Sequence, residues 1–83
     1  MQTPQEVEKA IIEIVANQMQ IDPTEMTRDT AFVADIGMDS LDVVEVTMEF
    51  EDQFEVSIPD EQGQSLQTIG QVVDYVVANL ATA

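Results

Sequence analysis

The sequence predicts an all-α fold, a small four-helix bundle with three long helices, one short helix and a long first loop. Three observations support this prediction. Apolar residues recur at three- and four-residue spacing in three separate stretches, which is the period of an amphipathic helix. Capping-box sequences precede the first and the last of these stretches. No strand pattern of alternating apolar and polar residues competes with them. With 83 residues, we expect residues 1–83 to form a single domain.

The first helix is predicted to begin after Thr3. The stretch Thr3-Pro4-Gln5-Glu6 combines a capping box with proline at the first helical position. The helix should then run to about residues 18–20, with one apolar face formed by Val7, Ala10, Ile11, Ile14 and Val15.

Residues 21–38 are predicted to form a long connection, because Pro23 and the polar run that follows it interrupt the helical period. A connection of this length is unusual in a compact domain and often carries function. We expect Phe32, Val33 and Ile36 to hold it against the core.

A second helix is predicted from about Ser40 to Phe54, and Ile58-Pro59-Asp60 then marks a break. Residues 60–66 could form a short helix, which Gly63 weakens. The last helix follows the capping box at residues 68–71 and is rich in valine, so packing must stabilise it more than intrinsic propensity does. Its apolar stripe consists of Ile69, Val72, Val73, Val76, Val77 and Leu80.

The second helix has apolar residues on two sides when it is laid out at about 100° per residue. One side is the expected core face: Val43, Val46, Thr47, Phe50 and Phe54. The opposite side carries Leu41, Val44 and Met48. Isolated apolar residues are normal on protein surfaces, and the long connection could also cover this side. The regular spacing and the flexible methionine favour a third interpretation, a surface that binds partner proteins.

Charge is the strongest feature of the composition. Seventeen acidic residues face two basic ones, Lys9 and Arg28, and the formal net charge is −15. Nucleic acid and anionic membranes should repel such a chain, whereas basic protein surfaces should attract it. Acidity that serves only solubility is the alternative. Residues 39–55 contain seven acids and no base. Acids near the carboxyl end of a helix can each cost up to about 1 kcal/mol, so this arrangement favours docking to a basic partner over stability.

Several classes of site and location are not expected. The chain lacks histidine and cysteine, and its acids lack the spacing of a calcium-binding loop, so we expect no metal site. No apolar run is long enough for a membrane span, and the first ten residues do not resemble a signal peptide. We expect a cytoplasmic monomer that binds neither nucleic acid nor membranes.

Ser40 stands between acidic neighbours in the stretch GMDSLDVVEV, residues 37–46. Nucleophilic catalysis would need a base within hydrogen-bond reach, and no motif connects Lys9 to this serine, so we expect no catalytic residue. Ser40 could cap the second helix, although Asp39 could serve as the cap instead. A serine at a helix start also suits modification by a phosphate group, because free N–H groups and the helix dipole favour negative charge there. Gly37 would allow a close approach to it. From the residues alone, both roles remain open.

The stretch containing Asp39-Ser40-Leu41 resembles the conserved motif of acyl carrier proteins. The similarity extends over nearly the whole chain, through Phe32-Val33-x-Asp35-Ile36-Gly37, Glu45, Phe50, Phe54, Ile58-Pro59-Asp60 and Asp74-Tyr75. The resemblance implies that a phosphopantetheinyl transferase attaches 4'-phosphopantetheine from coenzyme A to Ser40. The chain would then be a non-catalytic carrier of acyl intermediates, held as thioesters and delivered to enzymes of fatty acid biosynthesis.

The resemblance also implies a partner-recognition helix that matches the exposed side of the second helix. Basic docking surfaces of the transferase and of acyl-processing enzymes would contact Asp39, Leu41, Asp42, Val44, Glu45 and Met48, and we include the neighbouring Glu49. The family further suggests that acyl chains slip between the helices.

Five positions depart from the usual pattern of fatty-acid-synthase carriers: Ile36, Met38, Glu49, Gly63 and Gln64. None of them alters the attachment chemistry. They are compatible with a specialised carrier for polyketides or other secondary lipids. An alternative from a different class of protein is an acidic adaptor that carries no acyl group.

Overall fold

The computed structural model describes residues 3–80, which contain four α-helices. The helices are α1 (Pro4–Met19), α2 (Ser40–Phe54), α3 (Asp60–Ser65) and α4 (Ile69–Leu80), with a short 3₁₀ turn at Pro23–Glu25 between α1 and α2. Among these residues the only β pairing is one isolated antiparallel bridge, between Ala31 and Thr68. The predicted bundle of three long helices and one short helix is confirmed.

Both predicted capping boxes form. At the start of α1, the Thr3 hydroxyl accepts from the Glu6 N–H at 3.2 Å, and the Glu6 carboxylate accepts from the Thr3 N–H at 3.0 Å. The second bond lowers the pKa of Glu6, because the N–H group stabilises the ionised carboxylate. At the start of α4, Thr68 and Gln71 exchange the equivalent bonds at 3.2 and 3.1 Å.

The core lies where α1 packs against α2 and α4. Val7, Ile11 and Val15 of α1 are fully buried, while Ala10 and Ile14 lie at the edge of the core. The predicted core face of α2 is deepest at Val46, Phe50 and Phe54, while Val43 and Thr47 are half-buried. From α4, the core takes Ile69, Val72, Val73 and Val76. The 3.6-residue period therefore identified the core side of each long helix correctly.

The connection before α2 is only partly held by the residues that we expected. Phe32 is buried and Ile36 is half-buried against the core, but Val33 is 64% exposed, so that part of the prediction was wrong. The reason is a helix-like turn, in which Asp35 and Ile36 both donate backbone bonds to the Ala31 carbonyl. Adjacent residues in such a turn point in different directions, so Val33 faces away when Phe32 faces inward.

Helix α3 is the least anchored helix. None of its six residues, all of which are described, is buried, and its N-cap, Pro59, makes no side-chain capping bond. Gly63 lies in its middle and costs about 1 kcal/mol of helix propensity relative to alanine. The short helix that the sequence allowed is confirmed, and it ends one residue earlier than the predicted range 60–66. Backbone bonds from Phe32 to the Gln67 carbonyl and from Ile69 to the Thr30 carbonyl, at 3.0 and 3.1 Å, join the segment after α3 to the long connection.

Arg28 connects three parts of the chain. Its guanidinium lies 2.8 Å from the Asp74 carboxylate on α4 and 3.5 Å from the Glu8 carboxylate on α1. The hydrogen bond to Asp74 raises the pKa of Arg28 above its ordinary value. A Cβ at Gly70 would lie only 3.1 Å from the Arg28 carbonyl oxygen, so glycine permits this close approach.

Candidate functional site

Ser40 is the first residue of α2, and its side chain is exposed. The cap of α2 is Asp39, whose carboxylate accepts from the Asp42 N–H at 2.9 Å. The Asp42 carboxylate accepts in turn from the Asp39 N–H at 3.3 Å. The alternative in which Ser40 caps the helix is therefore wrong. Within residues 3–80 the Ser40 hydroxyl makes no hydrogen bond, so it is free to react.

The residues before Ser40 fix where the helix begins. Met38 is 2% exposed, and its N–H donates to the Phe32 carbonyl at 3.0 Å. Gly37 has a φ of +84°, a backbone conformation that a side chain would strain. We expected Gly37 to permit a close approach, but no heavy atom lies within 4 Å of the place where its Cβ would stand. The backbone angle is the physical reason for glycine at this position.

A groove of about 650 Å³ lies beside Ser40, between the long connection, the start of α2 and the end of α3. Its walls are mainly apolar, with Phe32, Val33, Met38, Val43 and Leu66 among the residues that line it. Ser40 and Asp39 also line the groove. A flexible group attached to Ser40 could therefore extend along an apolar surface next to its point of attachment.

The apolar stripe of α2 lies open to solvent. Leu41 is 65% exposed, Val44 54% and Met48 62%. The long connection does not cover these side chains, so the alternative in which it buries this side of α2 is wrong. Together with Val33, these three are the large apolar side chains that are exposed within residues 3–80.

Carboxylates border this stripe. Asp39, Glu45 and Glu49 are exposed, and Asp42 is half-buried. Gln18, in the last turn of α1, donates its side-chain amide to Glu45 at 2.9 Å and to Asp42 at 3.4 Å. Because an amide is uncharged, it orients these carboxylates without neutralising them. Sequence reasoning missed Gln18, and a glutamine in a polar helix end gives no pattern by which to find it.

The sequence suggested that the acids near the end of α2 destabilise the helix. In the structure, at least one of them has a favourable contact. Glu51 accepts from the Ile58 N–H at 2.9 Å, and so holds the chain that follows α2. Glu49 and Asp52 accept no hydrogen bond from the described residues. Together with Glu45, Met48 and Gln18, they line a second concave surface, of about 860 Å³.

Neither metal binding nor a membrane span is indicated by the described part of the chain. Residues 3–80 contain no group of three or more acidic, histidine or cysteine side chains placed to hold a metal ion. Of the helices within this range, none has both the length and the apolar character to cross a membrane.

Comparison with known proteins identifies the family. The model of the phosphopantetheine attachment site matches residues 9–76. The acyl carrier proteins of two Porphyromonas gingivalis strains are 45% identical to the chain over 75 residues, which is 90% of this chain and 96% of each relative. The chain belongs to the acyl carrier protein family. The solved structure of the Enterococcus faecalis acyl carrier protein superposes with a TM-score of 0.82 at 33% identity, covering 94% of this chain and 99% of that one.

The chain is therefore a carrier of acyl intermediates on covalently attached 4'-phosphopantetheine, and fatty acid synthesis is the usual role of its family. The residues present fit that group. An exposed hydroxyl stands at the positive end of a helix, and an apolar groove lies beside it. The thiol of the group supplies the thioester chemistry that a chain without cysteine lacks.

Proposed function

We propose that Ser40 is the attachment point of 4'-phosphopantetheine. The observation that carries this proposal is an exposed serine hydroxyl at the first position of α2, left without a hydrogen bond by the described residues because Asp39 caps the helix. Ser40 lies within the matched attachment-site region, residues 9–76.

The attachment step transfers phosphopantetheine from coenzyme A. The Ser40 oxygen forms a bond to the phosphorus next to pantetheine, while the pyrophosphate bond breaks and adenosine 3',5'-bisphosphate leaves. The serine proton passes to a base of the transferase. Because the transferase brings base and metal, the carrier only has to present the hydroxyl, and a chain without histidine can do so.

The exposed face of α2 is the proposed docking surface for the transferase and for acyl-processing enzymes. Leu41, Val44 and Met48 would fill apolar sites on the partner. The bordering carboxylates, Asp39, Asp42, Glu45 and Glu49, would meet basic residues, which speeds encounter more than it strengthens the final complex. A net charge of −15 adds long-range attraction to a basic surface.

Acyl chains would be sheltered between the helices. The space inside the bundle next to Phe50, Val46 and Val72 is only about 10 Å³, which is close to the minimum for one water molecule. An acyl chain can therefore enter only if the helices move apart.

The remaining proposals concern the molecule as a whole. The chain acts as a single carrier domain, residues 1–83, without catalytic activity of its own. It is a monomer in the cytoplasm, where the absence of cysteine is compatible with a reducing environment. It serves fatty acid synthesis, and assays of the acylated protein with ketosynthases of fatty acid and polyketide pathways would test that assignment.

Intact-mass measurement tests the attachment site. Incubation with coenzyme A and a broad-specificity phosphopantetheinyl transferase should add one phosphopantetheine to the wild type and none to Ser40→Ala. Ser57→Ala, which removes another exposed serine, is the matched control and should be loaded normally. A loaded Ser40→Ala variant, or an unmodified wild type, would contradict the proposal.

A further inference from the structure

Gln18, in the last turn of α1, reaches two acids of the proposed docking surface on α2. Its amide nitrogen donates to a Glu45 oxygen at 2.9 Å and to an Asp42 oxygen at 3.4 Å. An amide carries two N–H donors, so this one group can serve both acceptors. The two carboxylates lie three residues apart in α2 and therefore share a face of that helix. Two docking acids are thus held by a residue of another helix.

Repulsion opposes holding these two carboxylates together, since like charges at such spacing destabilise a helix. The Gln18 amide offsets this repulsion, because both acceptor oxygens lie within hydrogen-bond distance of its one nitrogen atom. The other Asp42 oxygen accepts from the Asp39 N–H at 3.3 Å, so the Asp42 carboxylate is held at both oxygens. The pair is therefore ordered before any partner binds.

The held carboxylates keep the capacity to bind a partner. A carboxylate oxygen has two lone pairs, so each oxygen that accepts from Gln18 can accept a second bond. The second Glu45 oxygen accepts no hydrogen bond from residues 3–80. Gln18, Glu45 and the exposed Met48 line one concave surface of about 860 Å³, so the pair lies beside an apolar residue of the docking surface. A guanidinium or ammonium group of the partner would meet both charges there.

A cation at residue 18 would serve stability better than glutamine does. The last turn of α1 contains no basic residue, although the helix dipole favours a cation at that end. Lysine at this position would pair with both carboxylates, but it would cancel the charge that a basic partner has to meet. Glutamine supplies the hydrogen bonds and leaves the negative charge intact. A residue that favours charge over stability in this way indicates a functional role.

We propose that Gln18 is a positioning residue for partner docking: its amide preorders Asp42 and Glu45 as a paired receptor for one cationic side chain of the partner. The inference rests on the proposed docking surface of α2 and on loading at Ser40. Preordering lowers the entropic cost of binding, because the partner does not have to immobilise flexible side chains. Gln18 acts through the carboxylates and not by contact with the partner.

The test measures kcat and KM of a phosphopantetheinyl transferase with the apo chain as the varied substrate. Gln18→Met removes both hydrogen bonds and keeps side-chain length, helix propensity and net charge. It should raise KM about two- to tenfold and leave kcat unchanged, since immobilising one flexible side chain costs about that factor in affinity. Gln18→Leu should behave in the same way. Gln5→Met, at the exposed other end of α1, is the matched control and should load as the wild type does.

Gln18→Lys separates docking from stability. Its ammonium group would pair with both carboxylates at the favourable end of the α1 dipole, so Tm should rise above that of the wild type. KM should rise as well, because neutralised carboxylates attract a basic partner less. If Gln18 only stabilised the fold, KM would instead follow Tm, and Gln18→Lys would load at least as well as the wild type. That result would overturn the inference.

A third measurement asks whether Gln18 acts through the two carboxylates. In the Asp42→Asn/Glu45→Gln background, Gln18→Met should cause no further loss of kcat/KM, because the charges that it orders are absent. An equal loss in both backgrounds would show that Gln18 acts by another route, and the inference would fail.

The outcomes separate this inference from the proposals on which it rests. An unchanged KM in Gln18→Met, with a raised KM in Asp42→Asn/Glu45→Gln, overturns the positioning role and leaves the docking surface standing. An unchanged KM in Asp42→Asn/Glu45→Gln overturns both. Absence of any mass increase in the wild type would overturn attachment at Ser40 and this inference with it.

Discussion

Asp39 caps α2, and the adjacent Ser40 is the proposed site of phosphopantetheine loading. Single substitutions at these two positions should therefore separate thermal stability from loading. Asp39→Ala removes the carboxylate that accepts from the Asp42 N–H at 2.9 Å. The reciprocal bond survives, since alanine keeps the backbone N–H that donates to Asp42. Loss of a single N-cap side chain typically costs about 1 kcal/mol. For a domain of this size, that corresponds to a fall in Tm of about 4–8 °C.

Two further variants isolate the cause. Asp39→Asn keeps an oxygen that can accept the same bond but removes the charge, so its Tm should lie much closer to the wild type than that of Asp39→Ala. Ser40→Ala should leave Tm unchanged or slightly raised, because the hydroxyl makes no hydrogen bond with the described residues and alanine is the better helix former. Only Ser40→Ala should abolish loading, whereas the two Asp39 variants, which alter the proposed docking surface, should slow it at most.

Thermal melts followed by circular dichroism, at one pH and one salt concentration, measure the stability of all three variants, and intact mass measures loading. A fall in Tm for Ser40→Ala as large as that for Asp39→Ala would show that Ser40 contributes the cap, against the assignment to Asp39. An Asp39→Asn variant as unstable as Asp39→Ala would show that charge and not hydrogen bonding accounts for the loss of stability.

Three further predictions concern charge and backbone conformation. Arg28→Gln should lower Tm more than Lys9→Gln, although each removes one positive charge, because Arg28 bridges Glu8 and Asp74; equal losses in thermal melts would show that net charge alone matters. Added salt or Mg²⁺ should raise the Tm of the wild type, because screening reduces repulsion in a chain of net charge −15; an unchanged Tm over a salt titration would be evidence against this. Glu55, the residue that follows and caps α2, has a φ of +54°, so Glu55→Gly should raise the free energy of unfolding by up to about 1 kcal/mol; a lower midpoint in urea denaturation would contradict this expectation.

Local sequence patterns predicted the features that depend on neighbouring residues. The bonds between Thr3 and Glu6 and between Thr68 and Gln71 span three residues, so a short pattern suffices to find them. The buried face of each long helix follows from the 3.6-residue period in the same way. The cap of α2 stayed ambiguous because Asp39 and Ser40 are adjacent and both are favourable N-cap residues.

Features that depend on distant residues could not be predicted. The bond from Gln18 to Glu45 joins residues 27 positions apart, and no local sequence pattern predicts it. The exposure of Val33 follows from the turn that contains it and from the bond between Phe32 and Gln67, which depends on the tertiary structure. The groove beside Ser40 likewise depends on where α3 lies relative to the connection.

The acids of α2 differ in what a partner protein would have to displace. Asp39, Asp42 and Glu45 already accept hydrogen bonds from within the chain, so a basic residue that draws them away would weaken the cap or the bridge from Gln18. Glu49 accepts none from the described residues, yet it directly follows the exposed Met48. A partner cation can therefore engage Glu49 without disturbing the fold. The acidic residues of α2 therefore differ in role: Asp39, Asp42 and Glu45 accept hydrogen bonds that hold the start of the helix, whereas Glu49 accepts none from the described residues and is the carboxylate that the proposed docking would engage at least cost to the fold.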